Sequence, residues 1–296
     1  MSSLTRVAGM PDEPAWGQFR RLTRENGIFS LGALKRAATR GGIWPQNPQL
    51  DWRQQVLRLM AGTTERSGLL SYFQAHCVIP QLLPSDYWSS RWPGLLNLWG
   101  THHAAVYPSS LVLRSCRECA LEDVAQLGFA WFRLGHQLPG VDWCSRHACG
   151  LGQLATGPQL LDREAFLHLQ PPISASPAAP MPEFVQRYMR VLDWLRASAN
   201  RGSWKAMYSA LMISTGEDCS REDPKVLTRI TAAAPLNWYR AHFLEAQEPT
   251  ARYPLLYPRQ AQSSWLALTA AAFTASTEDI DELIRAMPSE NPAAIA

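Results

Sequence analysis

Apolar side chains recur at helical spacing along most of the chain, in short bursts separated by glycine and proline. Trp16, Phe19 and Leu22 fall three apart within residues 14–25, which predicts an amphipathic helix with Arg20, Arg21 and Arg24 on its opposite side. Those three arginines are therefore expected to be exposed. Asn26-Gly27 ends this helix, and Ser30 is placed to cap a second one that reaches residue 39 and closes at Gly41-Gly42. Two short helices joined by a glycine-containing turn make a helix-turn-helix-like unit. A third helix is predicted over 51–61 (Trp52, Val56, Leu59, Met60) and a fourth over 64–76 (Leu69, Leu70, Tyr72, Phe73). In the Pro- and Trp-rich stretch 80–110, only 86–98 has helical character.

The pattern changes after residue 110. An aromatic, strand-like run (Phe129, Trp131, Phe132) leads into a Pro139-Gly140 turn. Residues 170–182 hold five prolines and no periodicity, the signature of an extended, semi-rigid linker. Helical patterns then resume over 183–199, 203–213, 224–233, 236–245, 262–273 and 277–287, and Ser276 can cap the last of these together with Asp279. That final helix pair is a second, weaker helix-turn-helix candidate, because its acidic second helix (Glu278, Asp279, Asp281, Glu282) favours plain packing. The fold class predicted is mainly α. An N-terminal helical, helix-turn-helix-like domain (1–107) precedes a small cysteine-knuckle module with short strands (108–155). A Pro-rich linker (156–182) then leads to a C-terminal helical domain (183–296).

Composition narrows the class. The 296 residues are 46% apolar and 18% charged, which excludes a wholly disordered chain. No stretch approaches the ~18 apolar residues of a membrane span, and no secretory segment follows Met1, so a soluble, cytoplasmic protein is expected. The net charge is only +3, yet it is unevenly spread. Residues 1–64 carry nine basic side chains against four acidic ones, a balance of +5, and the remainder is at −2. Such a basic end suits contact with phosphate, and Lys35, Arg36 and Arg40 extend the basic set of the first helix onto the second. A solvated helical face gives the same asymmetry, and a GC-rich genome gives the same preference for arginine over lysine.

The cysteines carry the chemistry. Four of the six lie within 34 residues, and two pairs have ligand spacing: Cys116-Arg-Glu-Cys119 and Cys144-Ser-Arg-His147, with 24 residues between them. Two intervening residues let both side chains of a knuckle turn back onto one ion, and two knuckles complete a tetrahedron. Three thiolates and an imidazole select zinc, and four protein ligands leave no position for water, so one structural ion is expected. Cys149 and His136 remain alternatives for the fourth position. Cys77 and Cys219 have no partner at ligand spacing and read as buried thiols.

The string Ser115-Cys-Arg-Glu-Cys-Ala-Leu-Glu-Asp-Val124, then Trp131-Phe-Arg-Leu-Gly-His-Gln-Leu-Pro-Gly-Val141, then Cys144-Ser-Arg-His147 resembles the TniQ/TnsD family of transposon target-selection proteins. The stretch from Asp12-Glu13 through Phe19-Arg-Arg-Leu22 to Asn26-Gly27 resembles the family opening more loosely, so the likeness covers about the first 150 residues. Arg117 and Ser145 stand where the family pattern has prolines. The resemblance implies an adaptor that binds target DNA or an RNA-guided CRISPR effector complex. It would recruit an AAA-type ATPase regulator and, through it, the transposase; a homodimer is compatible with that role. The competing reading is a zinc-stabilised protein–protein scaffold without DNA contact. An enzyme is not expected, because the chain has no Walker-type loop, His-Glu-x-x-His or nucleophile elbow.

Overall fold

A computed structural model of the chain describes residues 4–28, 30–44, 52–63, 65–77, 112–155, 180–197, 203–215, 224–244 and 262–287. The helix predicted over 86–98, Cys219 and the linker up to residue 179 lie outside the described residues. Regular structure among those described is mainly α, with eleven α-helices and two short strands. They belong to two compact units.

The first unit holds α1 (Ala15–Glu25), α2 (Leu31–Arg40), α3 (Trp52–Ala61), α4 (Arg66–His76), β1 (Val112–Ser115), α5 (Arg117–Leu127), a 3₁₀ turn (Leu134–Gln137) and β2 (Gly152–Ala155). Ser30 caps α2 by accepting from the Ala33 amide at 3.2 Å, as its position predicts. Trp16 and Leu22 of α1 are buried, as are Leu34, Ala38, Val56 and Phe73 on the next three helices. Gln18 is buried too, because residues 4–14 run back along α1. Its amide nitrogen donates to the Val7 carbonyl at 2.7 Å, and its carbonyl oxygen accepts from the Tyr72 hydroxyl at 2.6 Å. Burial, with Cys77 and Glu13 nearby, pushes the Tyr72 phenol up against the opposing influence of Arg21. Burial alone pushes the Cys77 thiol up, which leaves it inert, in keeping with a plain packed cysteine.

β1 and β2 pair antiparallel from Val112↔Ala155 to Ser115↔Gly152, closing a loop of chain that carries the four candidate ligands. The aromatic run 129–132 forms no strand. It is irregular backbone whose side chains are taken up in packing: Phe132 lies 5.0 Å from Trp16 between ring centres, and Trp131 sits beneath Arg133. Trp16, Leu113, Ala120 and Phe132 make one buried cluster, so α1 shares a core with β1 and α5.

The second unit consists of the segment Leu138–Gly150 with α6 (Glu183–Ala197), α7 (Ser203–Thr215), α8 (Pro224–Ala233), α9 (Leu236–Tyr239, continued by a π turn over Arg240–Leu244), α10 (Gln262–Phe273) and α11 (Thr277–Ala286). α10 is the central helix, in contact with α6, α7 and α8. Its composition explains the position, since Leu266 through Ala272 are all buried and the helix is apolar all round. Its C-terminal carbonyls are met by cations. Arg187 donates to the Ala271 and Ala275 oxygens at 3.1 and 2.8 Å, and Arg229 stacks 4.1 Å above the Phe273 ring. α11 opens on a full capping box of Ser276 and Asp279, the arrangement its sequence predicts. The amides of Ser276 and Ala275 hold the Asp279 carboxyl below its ordinary range.

Candidate metal centre

Cys116 is the N-cap of α5 and Cys119 lies in its first turn, so both sulfurs sit at a helix N-terminus, where the helix dipole favours negative charge. The second pair is presented by a tight loop. The Cys144 amide donates to the Cys149 carbonyl at 2.8 Å, and the Ala148 amide donates back to the Cys144 carbonyl at 2.8 Å. Ala148 takes a left-handed φ of 50° to close this turn, and a bridge between Trp143 and Gly150 fixes its base.

Ligand atoms of Cys116, Cys119, Cys144 and His147 all lie within 4.8 Å of one another, with the three cysteines buried and the histidine half-buried. Cys144 Sγ and His147 Nδ1 are 3.6 Å apart. A tetrahedral zinc with Zn–S near 2.3 Å and Zn–N near 2.05 Å requires an S···N edge of about 3.6 Å and S···S edges of about 3.8 Å. The cluster is thus within about 1 Å of a closed site. Three soft thiolates with one imidazole match zinc better than magnesium or calcium, which take oxygen donors. Cys149 and His136 do not belong to the group, so the candidate fourth position falls to His147 of the second knuckle.

The surroundings were not legible from spacing. Arg133 makes a two-pronged bond to Asp123, both distances being 2.8 Å, with the carboxylate 4% exposed. Burial alone would lower the Arg133 pKa, but the hydrogen bond and charge of Asp123, with Cys119 and Asp12 nearby, outweigh it and raise the value. Asp123 thus ties α5 to the chain ahead of the 3₁₀ turn. Asp12 reaches the same place, accepting from the Leu134 and Gly135 amides through its backbone and side-chain oxygens.

The basic residues divide. Lys35, Arg36 and Arg40 are exposed on α2, Arg20 is half-buried, and Arg24 is ion-paired with its neighbour Glu25 at 2.8 Å. Arg21 corrects the periodicity of α1. Instead of facing solvent, its side chain is 12% exposed and clamps the fully buried Glu13 through bonds of 2.6 and 2.7 Å, with a further bond to the Ala8 carbonyl. The helical pattern treats α1 in isolation, whereas residues 4–14 fold back over this arginine. Among the described residues no helix is long and apolar enough to cross a membrane. No family model matches the chain, and no curated protein does.

Proposed function

We propose that this chain is a zinc-stabilised adaptor of the TniQ/TnsD kind. It binds target DNA or a guide complex and recruits the ATPase regulator of a transposition system in the bacterial cytoplasm. The observation that carries the reading is the convergence of Cys116, Cys119, Cys144 and His147 on one point, the ligand set of the motif string in which the family resemblance lies. Zinc there would be structural: all four positions go to protein atoms, so the ion orders chain and has no site for an activated water. The protein accordingly acts by binding rather than by catalysis.

Lys35, Arg36 and Arg40, exposed on the helix whose start is capped by Ser30, are the nucleic-acid contacts favoured by this reading. Arg21 is withdrawn from the set because Glu13 already holds it. The test is an Arg36→Ala/Arg40→Ala double variant of the full chain. Each phosphate that the protein no longer neutralises lowers the slope of log K against log salt by about one. The slope for duplex DNA should therefore fall by about two while zinc content stays at wild-type level. Unchanged DNA binding overturns the assignment. Failure to recruit the ATPase without any DNA effect would instead establish the scaffold function.

A further inference from the structure

We propose that Tyr188, Trp238 and His242 are positioning residues for the Cys144–His147 half of the metal site, an inference that rests on the metal reading above. Three side chains from α6, α9 and the π turn grip three of the five residues, 139–143, that run up to Cys144. The Tyr188 hydroxyl donates to the Pro139 carbonyl at 2.7 Å, and Trp238 Nε1 donates to the Gly140 carbonyl at 2.9 Å. His242 Nε2 meets the fully buried Asp142 carboxylate at 2.7 Å. These partners lie 49, 98 and 100 residues away in sequence.

Between the first two bonds the backbone leaves no room for a side chain. Gly140 has a φ of 74°, and a Cβ built there would stand 2.8 Å from Trp238, 2.9 Å from Tyr188 and 3.2 Å from Phe243. The same rings pack on one another, with Tyr188 5.2 Å and Phe243 5.4 Å from Trp238 between centres. Downstream, the Trp143–Gly150 bridge and the Cys144–Cys149 backbone bond hold the other side of the knuckle. Cys144 is therefore fixed from both directions, and the side-chain bonds to Pro139, Gly140 and Asp142 upstream of it come from the C-terminal helices. A ligand held in its binding conformation loses little freedom when the metal arrives. Residues outside the coordination sphere that supply such order are worth 10–100-fold in metal affinity.

The experiment measures zinc affinity of the full chain by competition with a chromophoric chelator, and the ligand-field bands of the cobalt-loaded protein. Trp238→Phe and Tyr188→Phe keep an aromatic ring and remove one donor each, and each should weaken zinc binding by ~10–100-fold with helix content unchanged. His242→Ala should behave likewise, and His242→Gln, which retains an N–H donor toward Asp142, should recover most of the affinity. Ile230→Ala is the control: it opens a cavity in the same unit at a fully buried site on α8, a helix that supplies none of the three gripping side chains. It should lower the melting temperature and leave zinc affinity and cobalt bands alone. Unchanged affinity in Trp238→Phe and Tyr188→Phe overturns the proposal, as does an equal weakening in Ile230→Ala. Failure of the wild-type chain to bind zinc at all would instead refute the metal site itself.

Discussion

Cys116→Ala is expected to release zinc and to abolish the ordered structure of α5 and of the β1–β2 pair. Structural zinc in small modules contributes ~10–16 kcal/mol of apparent binding energy at neutral pH, and this energy is folding energy because the site does not pre-exist in the unfolded chain. A whole domain is stable by only ~5–15 kcal/mol, so the remaining interactions cannot make up the difference. Around α5 those interactions include a four-residue strand pair, the Asp123–Arg133 bridge, the Asp12 bonds to the Leu134 and Gly135 amides and the cluster of Trp16, Leu113, Ala120 and Phe132. Residues 139–142 are held separately by Tyr188, Trp238 and His242. Metal analysis should give less than a tenth of an ion per chain, and amides of α5 should exchange at unprotected rates. A variant with bound zinc and native protection at α5 would refute the role given to Cys116.

Glu13→Ala is the second change with a large expected effect. Glu13 is fully buried, its carboxylate grips Arg21 and accepts the Met10 amide at 3.0 Å, and its own carbonyl is met by His76 Nδ1 at 2.7 Å. Removing one partner of a buried ion pair leaves an uncompensated charge and costs ~3–5 kcal/mol, whereas replacing both by apolar groups can be nearly neutral. Glu13→Ala should therefore lower the stability of the N-terminal unit by ~3–5 kcal/mol, and Glu13→Leu/Arg21→Met should recover most of it. Denaturant unfolding followed by exchange at α1 amides reads both. A destabilisation under ~1 kcal/mol in the single variant would mean that the pair contributes little.

Helices α1, α2 and α11 are legible in the sequence because periodicity and caps are local: Ser30 and Ser276 cap where their sequences place them. The clustering of Cys116, Cys119, Cys144 and His147 is legible for the same reason, since two-residue spacing within a knuckle is itself a geometric constraint. β1 and β2 are not, being four residues each and paired across 36 intervening positions. The aromatic run 129–132 misleads because alternating rings that pack on Trp16 and under Arg133 look like a strand. Arg21 misleads because its partner lies in an extended segment with no period of its own. Nothing local to Gly140 or Asp142 announces Trp238 and His242, which meet them only through the tertiary fold.

One zinc ion held by Cys116, Cys119, Cys144 and His147 is the claim on which the rest depends, and zinc K-edge X-ray absorption of the freshly purified chain tests it most directly. The expected result is one zinc per chain with three sulfur neighbours at ~2.3 Å and one nitrogen at ~2.0–2.1 Å, unchanged in Cys149→Ala and His136→Ala. A shell of four sulfurs, or a coordinated water oxygen in place of the nitrogen, would contradict it.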